Sequence, residues 1–567
     1  MTKQTCTISG EEFEVSELEK KLREKFGFFD LPTTAPWVRF RELGAFWQHW
    51  NLHNRKCDKT GKPIISVFSE KCPYPVWHKD VWMKENNPPS ADYNFSTAER
   101  GAARDFFSQA WELFRQCPIP HNTGVGNENC EYTDDWWYSK NCYLCHSGYK
   151  CEDLKYCYRT LEDKDSNFNF FTLNCELCCD VGNSQNCFDS KYLLNCRRVQ
   201  NSAFLYDCRN CTDCMFCFNL RNKQYCFGNK QLSREEYKKK KAQWNLKSRE
   251  IYDKAKYFFA EMMVKNAWHR ALDIVQCENV HGDHLVNCKD MHNCYFITND
   301  SENCVNYLRA GVKTKDILDS FDSCGETELT FSCVNNLFNC YMLRFCKGLV
   351  NSKFCDYSIF LNKCENCFGC CGLVGKKYCI FNKQYSKEEY EKTREKIIEQ
   401  MKKEGTWGKF FPGYFAPNPY DESWAGYHFP LTTEAQAKLG FRVSEVSERK
   451  NKNYLPTSEI PDSVDDLDSG QARMTEEDLT KQIFWDEKYH RPFKILPADI
   501  KFSRDLGCPL PNTYYMRRIK ENFAWMPFNG KLRDTKCGKC AKKIQTSWPK
   551  KYDGRILCED CYLGVLN

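Results

Sequence analysis

The 567-residue sequence has no long apolar run and no large excess of charge of one sign. No stretch approaches the roughly 20 apolar residues that a membrane-spanning helix needs. The start, MTKQTCTISGEEFEVSE, lacks the apolar centre of a secretory signal. The net charge of +6 and the isoelectric point near 8.1 are too mild to require a nucleic-acid partner. We therefore expect a soluble, cytoplasmic protein that is not exported and does not enter a membrane.

Motifs of common catalytic sites are also missing. The sequence contains no phosphate-binding glycine loop, no nucleophile elbow, no HExxH helix and no deaminase-type HxE…PCxxC. We therefore expect a protein that is not an enzyme, although carboxylates that meet only in the folded chain would leave no such trace.

Cysteine, in contrast, is abundant, with 38 copies. In a chain without an export signal the reducing cytosol disfavours disulfides, so buried thiols or metal ligands are expected. Between Cys130 and Cys379 lie 29 of the 38, and a gap without cysteine between positions 227 and 276 divides this region into two halves. A chain of this length exceeds one compact core, and a repeat core is a common solution.

The two cysteine-rich halves end alike. In the first half GNKQLSREEY follows Cys211, Cys214, Cys217 and Cys226. In the second half FNKQYSKEEY follows Cys364, Cys367, Cys370 and Cys379, each 153 residues after its counterpart. This match indicates an internal duplication.

A shorter step recurs within each half. Cys178, Cys187 and Cys196 are nine residues apart, and nine residues would make half of a flattened β-coil. Asn-Cys occurs eleven times in the region, and five of these are followed by an aromatic residue: Tyr143, Phe188, Tyr295, Tyr341 and Phe368. Asn tolerates the left-handed conformation of coil corners, and a cysteine beside an aromatic alternates small and large on the two faces of a strand. The pattern predicts a mainly β fold with helices, a two-part parallel β-solenoid lined with cysteine, capped by helices and flanked by zinc-ribbon-like modules.

Capping boxes and changes of composition set the predicted boundaries. The boxes begin at Ser96, Ser233 and Ser386, and each predicts a helix that covers the edge of a coil. From position 405 the sequence is rich in Gly, Pro and aromatics and then polar, which is typical of a linker. We predict a degenerate tandem zinc-ribbon-like module at 1–95, a capping helix at 96–125, solenoid halves at 126–232 and 271–385, a helical insert at 233–270, a helix at 386–404, the linker segment at 405–480 and a C-terminal module at 481–567.

The C-terminal module contains the strongest metal signal. Cys537-Gly-Lys-Cys540 is followed after seventeen residues by Cys558-Glu-Asp-Cys561, a spacing that places four thiolates tetrahedrally around zinc. Four protein ligands leave no open coordination position, so one structural zinc ion is expected.

The N-terminal region contains a decayed relative of this motif. A shift of 480 aligns CDKTGKPI, from Cys57 to Ile64, with CGKCAKKI, from Cys537 to Ile544. Thr60 replaces the second ligand, His78 can still bind metal, and Val81 cannot. Cys72 is a candidate third ligand, so Cys57, Cys72 and His78 form a candidate degenerate site.

The segment TCTISGEEFEVSELEKKLREKFGFFDLPTTAPWVRFRE resembles a probable zinc-ribbon family of the form CxxCGxxF…G…P…CPxCR. It keeps Cys6 as a ligand, with Phe13, Gly27, Pro32 and Arg39 at non-ligand positions of the family. The stretch from Phe493 to Arg518, with Gly507 and Pro511, looks like a second decayed copy, in which Cys508 remains out of place. With the NCY/NCF repeats, the layout is similar to uncharacterised large zinc-ribbon, cysteine-repeat proteins of candidate phyla radiation bacteria. The resemblance covers most of the chain and implies no known activity.

Two other sets of residues have alternative interpretations. Cys277, His281, His284 and Cys288 mix thiol and imidazole ligands, so they are a candidate second metal site, or else two packed cysteines with surface histidines between them. The CxxC steps from Cys208 to Cys217 superficially resemble iron–sulfur ligation, but no proline follows, and a stacked thiol core is the simpler interpretation.

Basic residues suggest a nucleic-acid interface as an alternative. The run Lys238, Lys239, Lys240 and Lys241, and Arg39 and Arg41 among aromatics that include Trp37, Trp47 and Trp50, combine charge with stacking faces. Such runs are more often solvated helix faces.

Three hypotheses of function follow. The first is a non-enzymatic, zinc-containing binding or scaffold repeat protein whose partner is an unknown macromolecule, or a homo-oligomer of this chain. The second is a nucleic-acid or ribosome-associated factor. The third is a thiol or metal-storage protein.

Overall fold

The computed structural model describes residues 1–47, 51–85, 87–95, 105–444, 451–467, 474–523, 528 and 530–566. The chain divides into two compact units, and both are discontinuous in sequence. Unit 1 consists of Met1–Asn122, Leu272–Ser444 and Phe528–Arg533, and unit 2 of Thr123–Ala271, Glu445–Pro527 and Asp534–Asn567. The predicted capping box at Ser96 lies outside the described residues.

The described residues form a mainly β structure with 13 α-helices. The helices span Glu17–Lys25, Pro36–Gly44, Lys79–Lys84, Phe106–Phe114, Arg234–Lys241, Arg249–Lys265, Lys387–Glu404, Trp424–His428, Thr433–Lys438, Glu476–Lys481, Pro497–Leu506, Tyr515–Phe523 and Glu559–Leu566. The expectation of a mainly β fold with helices is confirmed. Among the described residues, no helix is long and apolar enough to cross a membrane.

Unit 2 contains a 12-stranded sheet, the first sheet. Its strands are Thr133–Trp137, Cys145–Tyr149, Tyr158–Leu161, Phe170–Leu173, Glu176–Gly182, Phe188–Leu194, Arg197–Gln200, Ala203–Tyr206, Arg209–Thr212, Met215–Phe218, Cys226–Phe227 and Lys230–Gln231. All described pairings in it are parallel except the last, where Lys230–Gln231 returns antiparallel to Cys226–Phe227. This hairpin covers the edge that the last parallel strand would otherwise expose.

Unit 1 contains a 9-stranded sheet, the second sheet, that also closes with an antiparallel hairpin. Its strands are Ile274–Val275, Glu278–Gly311, Lys315–Phe321, Glu328–Val334, Tyr341–Arg344, Lys353–Asp356, Glu365–Phe368, Lys377–Ile380 and Lys383–Gln384.

Six small sheets complete the described strands. They pair Thr2–Thr5 with Glu12–Val15, His53–Lys56 with Pro63–Ser66, Val76–Trp77 with Ile119–Pro120, His269–Arg270 with Ile556–Leu557, Arg533–Lys536 with Lys543–Thr546, and Leu455–Pro456 with Phe484–Asp486 and Arg491–Phe493.

The repeat in the first sheet is twelve residues rather than a multiple of nine. Lys191 pairs with Ala203, and Ala203 pairs with Met215. In the second sheet the offset is thirteen from Glu302 to Tyr341 and twelve from Tyr341 onward. The nine-residue cysteine step therefore does not measure half of a coil. The backbone repeats every three residues, and nine and twelve are both multiples of three. Inward cysteines can therefore recur nine residues apart although neighbouring strands are twelve residues apart.

That three-residue repeat is visible in the backbone. From Asp135 to Tyr225 every third residue has a left-handed φ, between 41° and 59°. Asn occupies many of these positions, as the Asn-Cys motif predicted, since Asn tolerates this region better than most residues. Phe and Tyr occupy others, and there the main-chain ladder offsets the local strain: the N–H of Tyr156 donates to the carbonyl of Tyr143 at 3.0 Å.

In both sheets most residues that follow a left-handed position are buried in the core of their sheet, although Lys223 is exposed and Lys376 is half-buried. Of the 29 cysteines between Cys130 and Cys379, all except Cys179 and Cys371 belong to, or pack against, four apolar clusters that also contain Leu and Val residues. All 38 cysteines lie in the described part of the chain, and none there is in a disulfide. Thiols thus serve as core packing, which agrees with the way free cysteine behaves as a small hydrophobe.

Small polar side chains at these inward positions also satisfy main-chain groups. The N–H of Cys214 donates to Ser202 Oγ at 3.0 Å, twelve residues earlier, and Ser202 Oγ donates to the carbonyl of Gln200 at 2.7 Å. Cysteine repeats this arrangement with longer bonds, because the N–H of Cys142 lies 3.4 Å from Cys130 Sγ. An inward Ser or Cys therefore provides an acceptor that an alanine could not provide.

Helices pack beside each sheet. The capping boxes at Ser233 and Ser386 are confirmed, with both reciprocal hydrogen bonds present in each. The predicted linker is folded where it is described, since Ile460, Val464 and Leu467 are buried in a cluster with Phe484.

Each unit contains a helical pair with a buried arginine that reaches its own sheet. In unit 1, Arg39 Nη1 lies 2.6 Å from Asp319 and 2.9 Å from Glu19. In unit 2, Arg518 Nη2 lies 2.7 Å from Asp180. Burial opposes ionisation of Asp180, but the positive charges of Arg518 and Lys256 lower its pKa.

The two helical pairs lie in the segments whose sequences resemble decayed ribbons. Gly27 and Gly507 both have a left-handed φ just after a helix, at 83° and 55°. In both segments a buried arginine contacts a buried aspartate of the sheet in the same unit, Arg39 with Asp319 and Arg518 with Asp180.

Substitution of Gly282 should test the close backbone approach at the start of the second sheet. A Cβ at Gly282, where φ is +150°, would lie 1.8 Å from the carbonyl oxygen of Cys294. We expect Gly282→Ala to destabilise unit 1 by more than about 3 kcal/mol, measured by denaturant unfolding. Gly375→Ala is the control, because φ there is +64° and no atom lies within 4 Å, so the cost should be only about 1 kcal/mol. Equal effects would contradict the close approach.

The buried carboxyl of Asp163 should make stability depend on pH. It lies inward between Cys151 and Cys175, and burial raises its pKa to about 6, although Thr172, Asn169 and the N–H of Cys175 donate to it. Since an unfolded Asp has a pKa near 3.9, the unfolded chain ionises first as pH rises. Unit 2 should therefore lose about 2 kcal/mol of stability between pH 4 and pH 6.

Unfolding midpoints across this pH range provide the measurement. Asp163→Asn should flatten the slope, whereas Asp189→Asn, on the outer side of the same sheet, should keep it. A slope that is unchanged in Asp163→Asn would contradict the assignment.

Candidate metal centre

The four cysteines of the C-terminal motif come together in the structure. Their Sγ atoms all lie within 4.8 Å of one another, and Cys540 Sγ and Cys558 Sγ are 3.7 Å apart. Among the described residues, this is the one group of three or more His, Cys, Asp or Glu side chains so placed. The sequence prediction that Cys537, Cys540, Cys558 and Cys561 converge agrees with this geometry.

Local backbone turns position the first pair of thiols. Cys537 follows the strand Arg533–Lys536, and its N–H donates to the carbonyl of Lys542 at 2.9 Å. The N–H of Ala541 donates to the carbonyl of Cys537 at 2.9 Å, with Ala541 in the left-handed region at φ 61°. This tight turn points both thiols of the CxxC to the same side.

The second pair lies where a strand leads into a helix. Cys558 follows the strand Ile556–Leu557, and Cys561 lies in the first turn of the helix Glu559–Leu566. The N–H of Cys558 donates to Cys537 Sγ at 3.4 Å. The two pairs are therefore linked by the protein itself as well as by any ion.

The electrostatics of the site favour a thiolate at Cys537. Burial acts to raise its pKa, but hydrogen bonds from the N–H groups of Cys540, Cys558 and Lys539 outweigh burial and lower the pKa to about 6. Cys540 is exposed, and Cys558 and Cys561 are half-exposed. An ion can reach the site from solvent without opening the core.

The donor set suits zinc. Four thiolates around zinc, with Zn–S bonds of about 2.3 Å, lie about 3.8 Å apart in a tetrahedron. The separation of Cys540 Sγ and Cys558 Sγ, 3.7 Å, is close to this value, and no separation among the four exceeds 4.8 Å. The group leaves no open position, so an ion there would support the local fold and would not activate water.

Unit 2 anchors this module through three contacts that the sequence did not reveal. The strand His269–Arg270 pairs in parallel with Ile556–Leu557, and Arg270 Nε lies 2.6 Å from Glu559. The hydroxyl of Tyr562, one residue after Cys561, donates to the buried carboxylate of Asp207. These partners are separated by hundreds of residues, so no local pattern could have indicated them.

The N-terminal ribbon copy keeps the shape of this site without its ligand set. The N–H of His78 donates to Cys57 Sγ at 3.3 Å, which matches the bond between Cys558 and Cys537. Hydrogen bonds from Thr60 and from the N–H of His78 outweigh burial and lower the pKa of Cys57. Cys72 is half-buried, and desolvation raises the pKa of its thiol to about 11. It does not join Cys57 and His78 in a ligand group among the described residues.

The imidazole of His78 has other contacts. Its Nδ1 accepts the N–H of Asp80 at 3.3 Å, and its ring stacks on His121 with centroids 4.6 Å apart. A capping histidine of this kind needs no metal.

The candidate set of Cys277, His281, His284 and Cys288 is distributed along the start of the second sheet. Cys277 Sγ accepts the N–H of Cys288 at 3.4 Å, as inward thiols do elsewhere. His281 stacks on His292, and His284 stacks on Phe296 and contacts Asp273 at 3.6 Å. The four do not form a ligand group among the described residues, so this second site stays a prediction from sequence alone.

The residues suggested for nucleic-acid contact differ in exposure. Lys238, Lys239 and Lys240 are exposed on the helix Arg234–Lys241, and Lys241 donates to Asn201 at 3.0 Å. Arg41 is half-buried. Arg39 is buried in ion pairs with Glu19 and Asp319, so its guanidinium is not available to a phosphate. This geometry argues against Arg39 as a nucleic-acid contact.

Comparisons with protein-family models, with curated proteins and with solved structures found no match to this chain. The geometry of the residues therefore carries the functional argument by itself.

Replacement of one metal ligand should separate the C-terminal module from the rest of the protein. We expect Cys558→Ser to abolish metal binding and to make residues 534–566 sensitive to protease, because binding at such sites is coupled to folding. Limited proteolysis and mass spectrometry provide the measurement, and the first sheet should stay resistant.

Cys57→Ser is the matched control, since it changes the aligned position of the N-terminal copy. It should leave the metal content unchanged. Equal protease resistance of residues 534–566 in Cys558→Ser and in the wild type would count against the metal site.

Proposed function

We propose that this protein is a non-enzymatic, zinc-containing binding or scaffold protein built on two cysteine-lined parallel β-solenoids. The observation that carries the proposal is the pattern in the first sheet, where every third residue from Asp135 to Tyr225 is left-handed and most of the residues that follow are buried, over parallel strands offset by twelve. The second sheet repeats this pattern with offsets of twelve and thirteen. Four sides of three residues account for one coil of twelve. A long repetitive framework of this kind typically presents an extended surface to a partner.

The inward thiols support a structural role over a chemical one. They lie in clusters with Leu and Val, and in most of them burial or an adjacent thiol raises the pKa, as for Cys208 and Cys304. A raised pKa makes a thiol a poor nucleophile and a poor metal ligand at neutral pH. This favours packing over storage of metal or thiol chemistry.

Zinc in the C-terminal module fits the same proposal. The four thiols at Cys537, Cys540, Cys558 and Cys561 form a closed ligand set, which is typical of structural zinc. The anchoring of that module in unit 2 by Arg270 and Tyr562 favours a stabilising role for the ion. The overall layout also resembles the zinc-ribbon, cysteine-repeat proteins of candidate phyla radiation bacteria.

A nucleic-acid-binding role is the second candidate. It is favoured by the exposed lysines of the helix Arg234–Lys241 and by Lys539, Lys542 and Lys543, which are exposed beside the metal centre. Basic residues on a zinc module could neutralise phosphates, and such binding weakens steeply with salt.

Metal content measured beside absorbance at 260 nm should discriminate between the proposals. For the scaffold we expect about one zinc per chain and no absorbance from nucleic acid. Several metals per chain would favour the storage alternative, and nucleic acid released by salt would favour the second candidate. Joint replacement of Lys238, Lys239 and Lys240 by Gln should then reduce binding, while replacement of Lys20 in unit 1 should not.

A further inference from the structure

Two cysteines of the sheets do not follow the inward pattern. Cys179 directly follows the inward Cys178, and Cys371 directly follows the inward Cys370. Cys179 therefore lies on the outer side of the first sheet and Cys371 on the outer side of the second. Both are nevertheless completely buried, so an element outside the sheet must cover each one.

In each case the covering element also contributes a cysteine. In unit 2, Cys179 packs in one cluster with Cys508 and Leu506 at the end of the helix Pro497–Leu506. The interaction between the two thiols raises the pKa of Cys179 and lowers that of Cys508.

In unit 1, Cys371 lies against Cys117, just after the helix Phe106–Phe114. A Cβ added at Gly372 would lie 3.7 Å from the Cβ of Cys117. Asn382 donates to Cys117 Sγ at 3.2 Å and accepts the N–H of Cys371 at 3.0 Å. The thiol interaction also adds to burial in raising the pKa of Cys371.

The two arrangements share a polar donor directed at sulfur. In unit 2, Arg518 Nη2 lies 3.8 Å from Cys179 Sγ. In unit 1, Asn382 Nδ2 lies 3.2 Å from Cys117 Sγ. Such donors stabilise the thiolate that thiol–disulfide exchange requires. A thiol pair with a nearby polar donor thus occurs in both units. Each pair contains one of the two sheet cysteines, Cys179 and Cys371, that do not belong to the apolar clusters of the sheets.

We propose that Cys179 with Cys508, and Cys117 with Cys371, are two oxidisable pairs that form disulfides with a small-molecule disulfide such as oxidised glutathione. In each pair one protein S–S bond forms and the S–S bond of oxidised glutathione breaks. The two protons and two electrons of the protein thiols pass to glutathione, which leaves as two reduced molecules. Because the thiols are buried, exchange proceeds through local opening of the covering element.

The crosslinks would fasten segments that are remote in sequence. Each joins a flanking helix to the outer side of a sheet across more than 250 residues of chain, so each removes much conformational freedom from the unfolded state. The inward thiols, in contrast, contact neighbours within the same sheet. A disulfide between two of them would not join the sheet to a flanking helix. The proposal does not depend on the metal centre.

The zinc-loaded full chain should be incubated with oxidised glutathione, alkylated under denaturing conditions and digested without reduction for mass spectrometry. We expect linked peptides that join Cys179 to Cys508 and Cys117 to Cys371. The thermal midpoint of the oxidised wild type should rise by several degrees and return on reduction.

The double variant Cys179→Ser, Cys371→Ser should lose both links and the rise in midpoint. Cys178→Ser is the matched control, because it removes the adjacent inward thiol and should keep both links. Alkylation of all four thiols after exposure to oxidised glutathione, or links from these thiols to inward cysteines instead, would overturn the proposal.

Discussion

The hydrogen bond between an inward main-chain N–H and a small side chain on the preceding strand, twelve residues earlier in the first sheet, is the constraint on which the sheets depend. In the first sheet a left-handed turn at every third residue leaves that N–H pointing into the core, where it needs a protein acceptor. Ser202 beneath Cys214 provides an oxygen acceptor, and Cys130 beneath Cys142 provides sulfur. The abundance of cysteine follows from this geometry, because a thiol is apolar enough to pack with Leu and Val and still accepts a weak hydrogen bond.

Alternating charge on the outside helps to fix the same register. Lys140 lies 3.6 Å from Glu128, twelve residues earlier, and Lys164 lies 3.6 Å from Glu152. Each exposed pair contributes little by itself. A shift of the register by one residue, however, would separate these pairs and would also turn the inward thiols to the surface. The outer charges and the inner sulfurs therefore favour one alignment of the strands.

Local sequence predicted the features that depend on neighbouring residues. The capping boxes at Ser233 and Ser386, the left-handed Asn positions and the convergence of the four C-terminal thiols all follow from short spacings. The length of the repeat was misjudged because a period of three is compatible with both nine and twelve. Contacts such as Arg518 with Asp180 and Tyr562 with Asp207 could not be predicted, because their partners lie more than 300 residues apart.

The chain passes from unit 1 to unit 2 after Asn122 and returns to unit 1 after Ala271. A short strand precedes each of these crossings. Ile119–Pro120 pairs with Val76–Trp77 of unit 1, and His269–Arg270 pairs with Ile556–Leu557 of unit 2. Residues 534–566 must therefore be synthesised before unit 2 can be completed. Folding cannot follow the order of synthesis one unit at a time, because the first sheet lacks part of its covering until this later segment has emerged.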